Sequence, residues 1–305
     1  MKWAFVGDLQ IPYHDRRAVE LFMKAMKWWK PEAIDFVGDI DDQLEYSQFS
    51  TGTTDEFFNQ IAKQYKEDEK VVADYEKALA AHQKQVDALD PRMKFLAPPP
   101  PAAPSLPREY NPLPFVKANA QGASEFYGDV RKQHKNADMH SSLGNHDIRV
   151  FKYMNKKAPE YVDQITPNML WGLDDLGITW ELYEEPPKKR FADIYVHHGA
   201  TVTDTGLAVR GDIEKYNISL VRGHDHRGGV VYKSHPISRS SLVGMGTGHL
   251  CDPKGYGLRY TINPSWEQGF GIAHVDNDKA HLQFIPIRNT DEGYVLFLDG
   301  KKFTN

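Results

Sequence analysis

The chain has 305 residues, 40% of them hydrophobic and 26% charged, with a formal net charge of −5 at pH 7. That is the composition of an ordinary folded protein with length for one large domain or two, and its mild acidity argues against a protein that coats nucleic acid non-specifically. The single cysteine, Cys251, excludes an intrachain disulfide and a cysteine-based metal site, and it points to a reducing compartment, the cytoplasm.

Residues 3–6 form a short apolar run closed by Gly7, which reads as a buried strand. The run is too short for a signal peptide before Asp8, and no later run reaches the length of a membrane span. Asp8 and Gln10 fall on the loop that follows. Residues 16–30 read as a helix with Val19, Leu21, Phe22, Ala25, Met26 and Trp29 on its apolar face, Asp15 as N-cap and Pro31 as stop. Residues 33–37 are a second strand ending at Gly38-Asp39. Strand, helix, strand at this spacing is a βαβ unit with parallel neighbours. Asp8 and Asp39 should then emerge side by side at the sheet edge where α/β proteins place ligands.

Residues 55–89 are rich in Lys, Glu, Asp, Gln and Ala, with Phe57, Phe58, Ile61, Tyr65, Val72, Tyr75, Leu79 and Val86 at helical spacings. With no clean heptad among them, the expectation is one long amphipathic helix, or two, rather than a coiled-coil arm. A Pro-rich run follows, from Pro98 to Pro104 with Pro107, Pro112 and Pro114 beyond it, and reads as a stiff surface connector. Strands recur on both sides of it. The expected organisation is therefore one domain over residues 1–305, with residues 55–122 inserted within it.

Helix resumes over 124–134, and a strand over 137–143 delivers Asn145 and His146. Helices over 148–157 and 168–176 precede strands over 178–182 and 191–196, the second delivering His197-His198-Gly199. A helix near 206–216 leads to a strand over 218–221 that delivers Gly223-His224-Asp225-His226. Strands dominate thereafter, at 230–233, 240–244, 270–275 and 281–287, and residues 294–303 close as a hairpin through Asp299-Gly300.

The polar groups at these strand ends are Asp8, Gln10, Asp39, Asn145, His198, His224 and His226: two carboxylates, two amide oxygens and three imidazoles. Such donors suit divalent ions of intermediate softness, Mn²⁺, Fe²⁺ or Zn²⁺. They exceed one four-coordinate ion and fit two ions sharing a carboxylate, for which Asp39 is the natural bridge. Two such ions hold a hydroxide between them and clamp a phosphate for in-line attack. His146 is the candidate general acid, or the cation that stabilises charge on the leaving oxygen.

In this order Asp8-Leu9-Gln10, Gly38-Asp39-Ile40-Asp41-Asp42, Gly144-Asn145-His146-Asp147, His198-Gly199 and Gly223-His224-Asp225-His226 resemble the motifs of the calcineurin-like metallophosphoesterase superfamily. The resemblance covers residues 1 to about 290 apart from the insertion. It implies a four-layer α/β/β/α sandwich, with Asp8, Gln10, Asp39 and His226 on a first metal ion and Asp39, Asn145, His198 and His224 on a second. It implies hydrolysis of phosphate esters, foremost phosphodiesters in DNA, RNA or a nucleotide. Residues 10–15 and 145–149 also resemble phosphoesterases of bacterial viruses, which would place the chain in the host cytoplasm. Gln10 departs from the family, which mostly has His there. A neutral amide oxygen is a weaker donor, so the first ion should bind more loosely or be the harder Mn²⁺ or Mg²⁺, with Mn²⁺ the first choice overall.

Around the motifs, Asp42 is expected to orient a neighbour and Asp147 and Asp225 to accept from imidazoles, while His14 and Arg149 stand close enough to touch a substrate phosphate, with surface salt bridging the more ordinary role for both. His197 should point away from His198 by the strand pleat. His249, in a glycine-rich segment, should rim the cleft. No Lys/Arg stripe with interleaved aromatics is apparent along the chain, which counts against tight nucleic-acid binding. The alternative to an enzyme is a non-catalytic scaffold of the same fold that binds a protein partner through the insertion.

Overall fold

The computed structural model describes residues 1–47, 53–91, 93–94, 97–102, 116–118, 120–203, 206–237, 241–252, 264–291 and 293–305, without the side chains of 53–66 and 68–69. Pro104, Pro107, Pro112, Pro114 and Ser240 lie outside the described residues.

In chain order the main elements are β1 (Lys2–Val6), α1 (Arg16–Trp29), β2 (Ala33–Phe36), α2 (Thr53–Asp87), α3 (Gln121–Gln133), β3 (Asp138–Ser142), α4 (Arg149–Lys157), α5 (Pro167–Trp171), β4 (Thr179–Glu181), β5 (Lys188–Lys189) and β6 (Ile194–Val196). They continue with α6 (Val209–Tyr216), β7 (Ser219–Arg222), β8 (Gly228–Ser234), β9 (Ser241–Thr247), β10 (Gly269–Asp276), β11 (Lys279–Pro286), β12 (Arg288–Thr290), β13 (Gly293–Leu298) and β14 (Lys301–Thr304). Chain contacts divide them into two compact units, Met1–Ser47 with Val116–Asn305, and Gln48–Phe115.

The first unit contains two large sheets, ordered β11-β10-β1-β2-β3-β4 and β5-β6-β7-β9-β8. Strands β1, β2, β3 and β4 run parallel, as do β6, β7 and β9. Trp3, Phe5, Ala33 and Val37 from the first sheet pack against Ile194, Val196, Val221 and Met245 from the second, all buried, so the sheets face one another. The outer face of the first sheet is covered by helices. Phe22 of α1 meets Phe270 at 5.1 Å between ring centroids, and Tyr127 of α3 meets Phe36 at 4.8 Å. On the second sheet, Val209 and Ile213 of α6 pack on Leu220. The architecture is a four-layer α/β/β/α sandwich. Strands β1 and β2 are covered on both faces, which is why residues 3–6 read as an unbroken apolar run; in β2 the buried Asp35 breaks the run and is held by Trp3 Nε1 and Arg190.

α1 begins where Asp15 accepts from the amides of Arg17 and Ala18 and ends at Lys30 in the left-handed region, just before Pro31. A third sheet, β12-β13-β14, lies along it: Trp28 meets Phe303 edge-on at 5.5 Å and the Trp29 indole donates to Asp299 at 2.7 Å. In the second unit, α2 is one continuous helix of 35 residues, and the His82 ring donates to the Pro98 carbonyl at 2.7 Å. The helix expected over 168–176 is only Pro167–Trp171, closed by Gly172 in the left-handed region. Among the described residues, no helix is long and apolar enough to cross a membrane.

Candidate metal centre

Every strand that delivers a motif ends at the same edge of its sheet, so the facing sheets bring the motifs to one place. Asp8 and Gln10 follow β1, Asp39 follows β2, Asn145 follows β3, His198 follows β6, and His224 and His226 follow β7. The backbone turns sharply at most of them: Asp8, Gln10, Asp39, His224 and His226 all have left-handed φ values between 51° and 76°. Non-glycine residues seldom hold that conformation, and strain of this kind gathers where a structure over-determines a site.

Two adjoining groups of donors result. In one, His226 Nε2 lies 3.2 Å from Asp8 Oδ1 and 3.1 Å from Gln10 Nε2. In the other, His198 Nε2 lies 3.2 Å from Asp39 Oδ2, 3.1 Å from Asn145 Oδ1 and 3.2 Å from His224 Nδ1. Asp39, His198 and His224 each offer an atom within 4.8 Å of the others. The His224 amide donates to both oxygens of Asp8, at 3.2 and 3.1 Å, which ties the groups together. Glycines make the room. A Cβ on Gly144 would stand 2.1 Å from Asp39 Oδ1, and one on Gly223 would stand 2.3 Å from Asp8 Oδ2.

These residues fit divalent ions. His198 Nδ1 donates to the Val37 carbonyl at 2.7 Å, so Nε2 is the atom turned to the cluster, and a bound ion would take the place of its proton. Carboxylate, amide and imidazole acceptors converge there. Gln10 Oε1 is buried and has no hydrogen-bond partner, as expected of an oxygen whose partner is a cation. Charge in the cluster is strongly coupled. Burial would raise the Asp39 carboxyl, yet His146, His198 and His224 hold it well below the usual carboxylate range. Burial opposes charge on His198, but Asp39 and then Asp8 push it up to about 9. His224 is driven down to about 3, first by burial and then by His198.

His146 sits at the rim of this arrangement. Its amide donates to Asp39 Oδ1 at 2.8 Å, and its Nδ1 makes a short hydrogen bond to Asp42. Its Nε2 lies 3.8 Å from Asp39 Oδ2 and accepts from Arg149 Nη2 at 3.0 Å. Arg149 also donates to the Asp42 carbonyl at 2.7 Å. Asp42 and Arg149 therefore fix the ring between them.

Other sequence-selected residues fall elsewhere. Asp147 accepts from the amides of Asp39, Asp41 and Gly144 at 2.7–2.8 Å, so it shapes backbone rather than orienting an imidazole. Asp225 likewise accepts from the amides of Ala208 and Arg227. His197 turns away from the cluster, its Nε2 donating to the Tyr183 carbonyl at 3.2 Å. His14 is half-buried, pairs with Cys251 through the backbone and leaves Nδ1 without a partner. His249 lines a cleft of about 610 Å³ with His14, Arg17 and Trp266, but from its buried side: it is 1% exposed, lies 5.3 Å from the His226 ring and contacts Cys251 Sγ at 3.0 Å.

Sequence reasoning missed three neighbours. Trp266 packs edge-on against the His226 ring at 4.2 Å. Cys251 stands 4.0 Å from His226 Nδ1. Arg222 is fully buried, donates to the Thr201 carbonyl at 2.6 Å and occupies the space beside Gly199, bracing the turn after His198. His249 and Cys251 follow the end of β9, so the strand-end rule that found the other motifs also pointed to them. Trp266 and Arg222 carry no such signal.

No protein-family model matches the chain. It is 24% identical over 294 residues to the Gene 54 protein of Mycobacterium phage D29, covering 92% of each chain. It is 22% identical over 293 residues to the Gene 54 protein of Mycobacterium phage L5, again covering 92% of each. Among solved structures it is similar to Vacuolar Protein Sorting 29 from Cryptosporidium parvum, with a TM-score of 0.41 and 13% identity over 99% of this chain and 93% of that one. It is also similar to YfcE, a phosphoesterase from E. coli, with a TM-score of 0.34 and 13% identity over 90% of both chains.

Proposed function

We propose that the chain is a metal-dependent phosphoesterase with a two-ion centre, acting on phosphodiesters. The observation that carries this reading is the convergence of seven metal-donor side chains from both sheets on two adjoining groups, tied by the His224 amide on Asp8, with His146 held beside them. Asp8, Gln10, Asp39 and His226 would hold one ion, and Asp39, Asn145, His198 and His224 the other, with Mn²⁺ favoured by the amide oxygens at Gln10 and Asn145. Held by these residues, the ions would supply neutralisation of charge on the phosphoryl oxygens and a more acidic water as the nucleophile.

The chain's own residues supply the rest. Asp42 takes the Nδ1 proton of His146 in a hydrogen bond, which fixes the tautomer. Once Arg149 has moved off it, His146 Nε2 can take a proton from solvent and pass it to the departing ester oxygen, so the leaving group departs as an alcohol. Arg149, which meets Nε2 at 3.0 Å, is placed to move onto a non-bridging phosphate oxygen as substrate enters. The paired His146 and Asp42 favour catalysis over a scaffold role, because a scaffold has no need of a tautomer-fixed imidazole beside its metal donors. The phage origin of both Gene 54 relatives agrees with the resemblance of residues 10–15 and 145–149 to phage phosphoesterases.

The test is hydrolysis of bis-p-nitrophenyl phosphate against p-nitrophenyl phosphate, with Mn²⁺, Mg²⁺, Zn²⁺ or EDTA. The expected result is diester turnover that requires metal and falls at least a thousandfold in Asp39→Ala, on the order of 4 kcal/mol of transition-state stabilisation. Undiminished turnover in Asp39→Ala would refute the two-ion reading.

A further inference from the structure

The outer face of α1 is basic. Its buried side uses Ala18, Leu21, Phe22, Ala25, Met26 and Trp29. The opposite side carries Arg17, Lys24, Lys27 and Trp28, at spacings of seven, three and one that keep them on one face, with Lys30 at the C-cap. Glu20 is the one carboxylate of the helix. The hairpin β13–β14 extends this face: Lys301 Nζ lies 4.7 Å from the Trp28 ring, and Lys24 donates to the Thr304 carbonyl at 2.7 Å. Lys24, Lys27, Lys30 and Lys301 make no ion pair with a carboxylate among the described residues.

Two grooves, of about 840 and 340 Å³, meet on this face and share Lys27 and Trp28 as walls. Trp28 is 41% exposed, unusual for the largest apolar side chain. A favourable interaction with the helix dipole accounts for Lys27 and Lys30, near the C-terminus of α1. It does not reach Lys24 or Lys301, whose contacts are the Thr304 carbonyl and the Trp28 and Phe303 rings, and it leaves the indole 41% exposed.

The face also leads somewhere. Residue 15 donates its amide to Leu250, and His14 bridges Cys251, which stands against His226. The N-terminal end of α1 thus abuts the metal centre, and the helix carries the basic face about 20 Å away from it at 1.5 Å per residue. Evenly placed cations with an exposed aromatic between them match a flexible polyanion whose repeat alternates phosphate and planar base. A folded acidic protein would need an apolar core to its contact, and among the described residues lining the two grooves the exposed large apolar groups are Trp28 and Met1 alone.

We infer that single-stranded nucleic acid binds along α1 and the closing hairpin, its phosphates on Lys24, Lys27, Lys30 and Lys301 and a base on Trp28. The destination of the strand, the metal centre, rests on the proposed phosphodiesterase reading; the binding does not. The experiment is fluorescence anisotropy of a labelled twenty-residue oligothymidylate with the full chain in EDTA, across a salt series. Removing three phosphate contacts in Lys24→Gln/Lys27→Gln/Lys301→Gln should reduce the slope of log K against log salt by about 2, at about 0.7 per contact. Trp28→Ala should weaken binding about tenfold with the slope unchanged. Circular dichroism of each variant checks that the fold is kept.

No binding by the wild-type chain, or binding that neither variant alters, would overturn the inference. So would equal competition by polyglutamate or by anionic lipid vesicles, which would make the face a general polyanion or membrane site. Bis-p-nitrophenyl phosphate is too small to span from the metal centre to this face and reports on the centre alone. Variant-sensitive binding without diester turnover would refute the proposed reaction and uphold the binding site; turnover without oligonucleotide binding would do the reverse.

Discussion

Asp39 is held by contacts on every side. Its amide donates to Asp147 at 2.8 Å, its Oδ1 accepts from the His146 amide at 2.8 Å, and its Oδ2 faces His198 at 3.2 Å. A methyl group on Gly144 would lie 2.1 Å from Oδ1 and 2.4 Å from the Asp39 amide nitrogen. Neither atom belongs to a flexible side-chain end that can swing aside, so Gly144→Ala must push β2 and β3 apart at the site. The expected outcome is a loss of about 1–3 kcal/mol of stability and a larger relative loss of diester turnover, read from urea unfolding and from kcat/KM. A stable, fully active Gly144→Ala protein would show that Asp39 need not stay where it is. The donor types at this site were legible in the motifs. The reason for the glycine was not, because the clash is between residues more than 100 positions apart.

At the scale of elements, β3 carries a pH-sensitive join to β4. His140 is 1% exposed, with Nδ1 at 3.0 Å from the Thr179 hydroxyl and Nε2 at 3.3 Å from Glu181. Lys188 already neutralises Glu181, at 2.5 Å. Burial first, then Arg190 and Lys188, pushes His140 from its ordinary 6.5 down to about 3. Above pH 6.5 the ring is neutral folded or unfolded, and its full contribution to stability is present. As pH falls from 6.5 toward 3, the unfolded ring takes up a proton that the folded ring refuses, and stability is lost. Between pH 6.5 and 5 this amounts to about 2 kcal/mol. His140→Gln should remove that part of the slope in unfolding free energy measured at pH 5, 6 and 7; an unchanged slope would place the acid sensitivity elsewhere. The sequence analysis assigned His140 no role, since a histidine inside a strand shows its burial only once the neighbouring strand is known.

For the molecule as a whole, the question is what the segment 48–115 contributes. The core between the sheets and every proposed metal donor lie outside it. Along α2, Val72, Tyr75, Leu79, His82 and Val86 alternate by three and four, a heptad spacing with His82 as its polar member, although a heptad was not expected. Val72 and Leu79 are 40% and 39% exposed. We propose that the segment is an insertion into an otherwise self-sufficient domain. Replacing residues 48–115 with a Gly/Ser linker of about 20 residues should keep Tm within a few degrees and diester turnover within a few-fold, since loop closure depends only weakly on length. A collapse in Tm would make the segment part of the domain core.

What the sequence determined by itself was set by local rules. Apolar runs ending in glycine located the strand ends, N-cap and proline signals bounded α1, and the residue types after each strand named the chemistry of the donors. These are readable because each depends on a few adjacent residues and on the periodicity of one element. The tertiary structure alone decided which groups meet. It spent Asp147 and Asp225 on backbone amides, set His249 and Cys251 behind His226, and braced the His198 turn with Arg222. It also assembled lysines from α1 and β14 around Trp28 into a basic face, although the chain shows no basic stripe and has a net charge of −5. Charge and contact at such places arise from residues separated by hundreds of positions, and folding, not sequence order, makes them neighbours.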